Sequence, residues 1–562
     1  MKIDLREFAR SQPAPRSSSQ PASSQPADIQ ADLCIIGAGI AGISIARSLL
    51  GSGLKVVLLE SGGVDHEPAV QALTAGDSIG FDYYPLIDSR LRMFGGTTAI
   101  WGGRVAMLDD IDFHPRDWVP DSGWPFPIAT LLPWYDRARQ ALDLSAASLD
   151  ESLFEQLGLQ APAFDPEWLR VAFWQFDRMP HRYGLHRCAD LIADPDTTIV
   201  LHATATHIQA DPDGRRIHHV EVADVSGARA TVQARRFVLA AGGIDNPRLL
   251  LASRDVVPTG LGNGHDLVGR YFMEHPHARG GRVRFKRPWS SLDTLMVRKA
   301  LGGERFVPCF RPGEALQRRA GILNTSFALG VRQHPDQRMQ LAVRLYQAAK
   351  HSLAPTRANR SLWQSLKRSL HFLQRHTDPL RPWLLDRLDR RGIYAVVRAE
   401  QAPNPASRVQ LGSECDALGV PRADLDWQLS DLDKRSVRVL MEAFDRELRR
   451  LDLGHVELPE WLLDEGRPWR IDPLVSGHPI GGYHHIGTTR MASDAGKGVV
   501  DAEGRVFGLA NLYVAGSSVF PTSGWANPTL TLLALSLRLA EHLSQALRDE
   551  CRPIELDRQR VA

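Results

Sequence analysis

The chain has 562 residues, with 67 Lys and Arg against 65 Asp and Glu and a formal net charge of +2. That length exceeds what one hydrophobic core supports and predicts two domains or one composite fold. Apolar and charged fractions of 43% and 23% exclude a collagen, a coiled coil and a wholly disordered chain, and the charge balance gives no argument for a nucleic-acid partner.

Residues 1–30 read as a disordered tail, because the stretch 11–30 is rich in Ser, Pro, Gln and Ala and lacks apolar surface to bury. MKIDLREFAR has neither an apolar h-region nor twin arginines, so no secretory signal is expected. The most apolar stretch, Leu33 to Ala46, contains three glycines and is too short to span a bilayer core of about 30 Å. The five cysteines (Cys34, Cys188, Cys309, Cys415 and Cys551) form no CxxC pair. Neither a disulfide framework nor a structural zinc site is expected, and no metal ligands are assigned. A reducing, cytoplasmic location follows, with a membrane-peripheral one as the variant.

Leu33-Cys34-Ile35-Ile36 reads as a buried parallel strand, followed by Gly37-Ala38-Gly39-Ile40-Ala41-Gly42, a helical pattern to Leu50, and a second apolar strand ending in Glu60. In such a turn Gly37 permits the tight bend, Gly39 lets backbone approach a pyrophosphate, and Gly42 lets helix and strand pack closely. The helix N-terminus offers free N–H groups to phosphate. Glu60, 18 residues past Gly42, is placed to accept hydrogen bonds from ribose hydroxyls and would repel a 2′-phosphate. The alternative is a Gly-rich packing turn. The turn alone does not separate FAD from NAD.

Gly95-Gly96-Thr97-Thr98-Ala99-Ile100-Trp101-Gly102-Gly103 suggests backbone lying against a flat ligand, or a plain loop. Thr198–Thr206 reads as a strand, Ile217–Ala223 with Ala230–Val232 as a hairpin, and Phe237–Ala241 as a third buried strand before Gly242-Gly243. The stretch 340–392 reads as helical and basic in patches. Leu362, Leu366, Leu370 and Leu373 share one face, which either packs on its own domain or meets a membrane surface or partner.

Near the C-terminal end, His484 and His485 face opposite sides of an extended segment. An imidazole beside a carbinol suits removal of a hydroxyl proton. Asn527-Pro528 opens a helix, with Asn527 either capping it or turned toward a cofactor. Trp525 is a candidate for stacking a sugar ring, or a buried loop aromatic.

Taken together, Gly37–Gly42, Gly95–Thr98, Leu239–Gly243, His484–Thr488, Asn527–Thr529, Val268–Pro276 and Glu400–Pro405 resemble the glucose–methanol–choline (GMC) family of FAD-dependent oxidoreductases. The likeness runs from about Ala31 to Leu543. Arg490-Met491 and Ser517–Gly524 are similar to its bacterial sugar and polyol dehydrogenase and pyranose oxidase-like branch. The resemblance implies an α/β fold: a discontinuous Rossmann-type FAD-binding domain and a substrate domain with a mixed or antiparallel sheet covered by helices. Expected boundaries are 31–135, 185–275 and 481–548 for the FAD domain, 136–184 for a helical insertion, 276–480 for the substrate domain and 549–562 for a tail.

It further implies that His484, by its His-x-x-Gly-Thr spacing, takes the hydroxyl proton, with His485 the second choice, and that Asn527 hydrogen-bonds the alcohol oxygen. Gly95, Gly96, Thr97, Thr98, Asn527, Pro528 and Thr529 would lie around the flavin, Ala205 and Gly242 at the adenine end, and Gly516 also in the FAD site. Covalent pyranose oxidases carry a histidine where this chain has Ile100, so non-covalent FAD is expected. The implied reaction is oxidation of a sugar, glycoside or polyol CH–OH, as a dehydrogenase rather than an oxidase. A lyase or isomerase with structural FAD is the alternative. Oxygen, a quinone or a redox protein are the candidate electron acceptors, with weak membrane-surface contact as an accessory. No oligomeric state is implied.

Overall fold

The computed structural model describes residues 1–11, 27–179, 182–334, 354–471 and 483–551. An eight-stranded sheet is ordered Lys2–Asp4, Thr197–Leu201, Val56–Leu59, Ala27–Ile36, Arg229–Leu239, Ile217–Ala223 and Thr204–Ala210, with Leu512–Val514 also pairing the strand Arg229–Leu239. Its centre is parallel, Leu33–Ile36 running beside Val56–Leu59 on one side and Arg236–Leu239 on the other. A strand buried on both faces needs a continuous apolar run, and Leu33, Cys34 and Ile35 are fully buried. The helix Ile40–Ser48 follows directly, and the C-terminal helix Thr529–Cys551 packs against it.

A second, antiparallel sheet is ordered Gly454–Glu457, His277–Phe285, Gly392–Arg398, Ser326–Arg332, Glu304–Pro312, Leu169–Phe176 and Arg104–Val105, with Lys299–Leu301 on Glu304–Pro312. The helix Asp431–Arg450 covers it. Its first turn is held by a capping box between Ser430 and Asp433, and its buried stripe is Val437, Leu440, Met441, Phe444 and Leu448. Phe444 meets Phe327 (4.8 Å between ring centroids), which stacks on Phe310 (4.9 Å). This is the core of a unit separate from the first sheet.

Three expectations need correction. The first 11 residues are not a tail: Lys2–Asp4 adds a parallel strand beside Ile199–Leu201, and Leu5 is fully buried. Asp4 bonds His202 Nδ1 at 2.7 Å, and Arg6 pairs with Asp224 at 2.9 Å. Residues 27–30 belong to the central strand, whereas 12–26 lie outside the described residues, as do 552–562 of the expected C-terminal tail. The segment 136–184 is only partly helical, because Leu169–Phe176 forms a strand of the second sheet. That run, LRVAFWQF, is short and nearly all apolar, so its periodicity does not separate buried helix from buried strand. Third, the strand expected over 198–206 breaks into two at His202, whose φ is +55°.

The helix expected within 340–392 spans Arg357–Thr377, followed by Leu380–Arg387. Residues 340–353 of that expectation lie outside the described residues. Leu362, Leu366, Leu370 and Leu373 are 43–62% exposed, so the apolar face does not pack on its own domain. Among the described residues no helix is long and apolar enough to cross a membrane.

Candidate active site

A cavity of about 1210 Å³ lies between the two sheets. It is lined by Gly37, Gly39, Glu60, Gly95, Gly96, Thr97, Thr98, Ala205, Gly242, Gly516, Pro528 and Thr529, and also by His484 and Asn527. Residues spread over nearly 500 positions of sequence thus share one wall.

The Gly-rich turn fits a dinucleotide in its details. A Cβ on Gly37 (φ +110°) would stand 2.6 Å from the Ala240 carbonyl oxygen, and one on Gly42 would stand 2.0 Å from that of Gly37. Gly39 has open space where its Cβ would be, and it caps the helix with no side-chain bond to the first N–H groups. Those N–H groups therefore face the cavity free for phosphate. Glu60 is nearly buried and accepts from Ala38 N (3.1 Å) and Gly62 N (2.9 Å). It ties the turn to the end of its strand, and burial raises its carboxyl above the usual range. Gly96 approaches Gly39 from the facing loop, which is joined to the turn by Gly95 N donating to the Ala38 carbonyl (2.8 Å). An uncapped helix start, a glycine cradle and an acid at the strand end are the features a bound dinucleotide needs.

At the other end, one proton chain defines His484. His275 Nε2 lies 2.9 Å from the Gly524 carbonyl oxygen. A carbonyl only accepts, so Nε2 carries the proton. Burial pushes His275 down to about 4, so the ring is neutral and its Nδ1 is a lone pair. That nitrogen lies 2.8 Å from His484 Nδ1, which must donate. His484 Nε2 is then left with its lone pair, 3.1 Å from the Asn527 amide nitrogen. Burial, followed by the charges of His275, His277 and Arg398, holds His484 well below the ordinary imidazole range. The result is a neutral base of fixed tautomer, aimed along with Asn527 into the cavity.

The backbone beneath is equally fixed. Both Glu274 oxygens accept from His484 N at 2.9 Å, and Tyr83 Oη donates to Glu274 at 2.8 Å. Glu274, His275 and His484 place one ligand atom each within 4.8 Å of one another, as a metal would require. Hydrogen bonds already link these groups to one another and to Tyr83, Asn527 and Gly524. His485 also lines the cavity, but its ring packs against Phe272 and Tyr83 (ring centroids 5.8 and 6.2 Å), and burial pushes it down to about 3.

Asn527 is not the helix cap. The C-terminal helix begins at Thr529, with Leu532 N donating to the Pro528 carbonyl, and the Asn527 amide goes to His484. Trp525 does not line the cavity. It is 4% exposed, and its Nε1 donates to Asp109 at 2.9 Å. His275 stands in a motif quoted for its family likeness, but nothing in its spacing announces a bond to His484. His277 and the arginines that line the cavity were also unmarked in the sequence.

Residues 32–260 match the family model "FAD dependent oxidoreductase", and residues 403–536 match "GMC oxidoreductase". The chain is 25% identical to paromamine 6′-oxidase of Streptomyces fradiae, covering 91% of this chain and 90% of that one. It is 24% identical to 2-methyl-1,2-propanediol dehydrogenase of Mycolicibacterium austroafricanum, covering 92% and 96%. A 32% identity to C-glycoside 3-oxidase of Microbacterium trichothecenolyticum covers 24% of each chain. The fold is shared with formate oxidase, with a TM-score of 0.53, 16% identity, and coverage of 94% of this chain and 100% of the other. The chain belongs to the GMC oxidoreductase family and is an FAD-dependent oxidoreductase.

Glu274 is the member of this cluster placed to titrate near neutrality, since burial lifts it to about 7. Its ionisation brings negative charge to 3.8 Å from His484 Nδ1 and makes that imidazole more basic. The rate of flavin reduction should therefore rise with pH through a limb near 7. Glu274→Gln should flatten that limb in stopped-flow measurements from about pH 5.5 to 8.5. A limb unchanged in E274Q would exclude Glu274 as the titrating group.

Proposed function

We propose that the chain oxidises a CH–OH group of a sugar, glycoside or polyol to a carbonyl, with His484 as the base. One observation carries the reading: the lone pair of His484 Nε2 and the Asn527 amide stand side by side in the cavity that holds the Gly-rich turn. Bound FAD supplies the hydride acceptor. His484 takes the hydroxyl proton at Nε2 as the C–H bond weakens. Asn527, an N–H donor, holds the developing alkoxide oxygen. His275 keeps the opposite ring nitrogen protonated, so the base cannot switch tautomer. The names of the relatives, among them a glycoside oxidase and a diol dehydrogenase, support the substrate class.

His484→Ala is expected to keep its FAD and to slow anaerobic flavin reduction by about 10²–10⁴-fold. Reduction at the wild-type rate would remove the assigned role. Turnover with no change in flavin absorbance would favour a lyase or isomerase.

Non-covalent FAD is part of the proposal, since Ile100 cannot bond a flavin at the position before Trp101. Acid precipitation should leave a colourless pellet and a yellow supernatant. A yellow pellet would contradict this.

We favour a dehydrogenase that passes electrons to a membrane quinone. The helix Arg357–Thr377 lines the cavity with Arg360, Trp363, Gln364 and Arg368 and turns its leucines outward. Its sequence has five Lys or Arg and no acid, and although Arg360 is held by Asp65 at 3.2 Å, the net positive charge suits an anionic bilayer surface. The protein should co-sediment with phosphatidylglycerol vesicles and less with phosphatidylcholine ones. Leu366→Glu with Leu370→Glu should abolish this, and equal sedimentation of the variant would discard the surface. Reduced enzyme should be reoxidised faster by a quinone than by air, and the reverse order would make it an oxidase.

A further inference from the structure

The second sheet presents a row of arginines to the cavity. Arg104 and Arg305 flank Phe176 in register on the two neighbouring strands. The Arg104 guanidinium lies 4.4 Å from the Trp174 ring and 5.5 Å from the Phe176 ring, and Arg305 lies 5.6 Å from Phe176. Arg398 lies 5.5 Å from Trp174 and is the cross-strand partner of His277. Arg104, Arg305, Arg398, Phe176 and His277 all line the cavity that contains His484.

Among the described residues these cations lack counter-charges: no carboxylate pairs with Arg104, Arg305 or Arg398, whereas neighbouring Arg178 pairs with Glu304 at 3.1 Å. The acids that line the cavity are Glu60, Asp88, Asp245 and Asp416, and none of them stands on this sheet. Arg104 Nε is buried with no hydrogen-bond partner. Burial and the neighbouring arginines hold Arg104 well below the usual guanidinium range, and burial pushes Arg398 down to about 10. Several guanidinium groups sharing a low-dielectric wall repel one another, and an anion in their midst relieves the repulsion. The FAD pyrophosphate is not that anion, since its turn lies at the first sheet. The stacked rings hold the guanidinium planes in place, and a planar fork suits bidentate bonds to a carboxylate or phosphate.

We propose that this arginine wall binds an anionic group of the substrate, so that the alcohol presented to His484 also carries a carboxylate or a phosphate. The inference rests on the alcohol oxidation proposed above and names the substrate class for that site. The anion fixes one end of the molecule on the sheet while the carbinol meets His484 and Asn527. Neutral sugars would lack that anchor, and amino sugars would be repelled.

The test separates binding from turnover. In the FAD-loaded His484→Ala variant, dissociation constants for glucuronate, glucose 6-phosphate, glucose and glucosamine are measured by flavin difference spectra and calorimetry. At least one anion should bind about 10-fold or more tightly than glucose, with glucosamine weakest. The carboxylate and phosphate arms identify the anion. Adding Arg398→Gln, or separately Arg104→Gln, should erase most of the preference while FAD content stays unchanged. Raising NaCl from about 0.05 to 0.5 M should narrow it. Equal affinities, tighter binding of glucose or glucosamine, a preference untouched by both substitutions, or no binding by any of the four would overturn the inference. Failure of the underlying reading looks different: anions bind with the expected preference, yet no alcohol reduces the flavin of the unmodified enzyme.

Discussion

The chemistry depends on where one carbonyl points. The Gly524 oxygen accepts a hydrogen bond from His275 Nε2–H, and that single bond sets the protonation of four ring nitrogens in series. Gly524 lies in the left-handed region (φ +56°), and a Cβ there would stand 2.5 Å from Leu108 and 2.7 Å from Asp112. The loop is pinned on both sides. Thr522 Oγ1 donates to the Asp112 carbonyl at 2.8 Å, and Trp525 Nε1 donates to Asp109. The backbone of one tight loop, built on residues four hundred positions away, therefore decides which nitrogen of His484 is a base.

That arrangement sits at a seam. The first sheet and its glycine turn supply a rigid place for a dinucleotide, with Glu60 and the start of the helix Ile40–Ser48 as anchors. The second sheet supplies the opposite wall, where Phe176, His277 and Arg398 face the same space. His484 and Asn527 come from the C-terminal segment between the two. One cavity thus has two chemically different sides, a glycine-lined one on the first sheet and an arginine- and aromatic-lined one on the second.

Charge is distributed along the same division. Asp245 is held by Arg90 (2.7 Å) and Arg92 (2.8 Å), which keep its carboxyl well below the usual range, so the arginines at that end of the cavity have an acid partner. On the second sheet Arg104, Arg305 and Arg398 meet aromatic faces, and among the described residues none of the three pairs with an acid. A histidine near such a wall is disfavoured as a cation, which adds to the effect of burial in keeping His484 a base.

Local sequence determined the parts whose geometry is local. The turn Gly37–Gly42, the strands around it and Glu60 were legible because each role depends on neighbours within about 25 residues and on backbone rules that admit few residue types. The His-x-x-Gly-Thr spacing and Asn527 were legible as motifs through likeness to a family. Tertiary structure alone decided the rest. Lys2–Asp4 became a strand because a free sheet edge at Ile199–Leu201 accepted it. Leu169–Phe176 became a strand because Glu304–Pro312 lay alongside, and an apolar run by itself suits either helix or sheet. The bond from His275 to His484 spans 209 positions, and the register of Arg104 and Arg305 on Phe176 spans two strand pairings. Hydrogen bonds and charge clusters of that range follow from which strands meet, and no periodicity in the chain encodes the meeting.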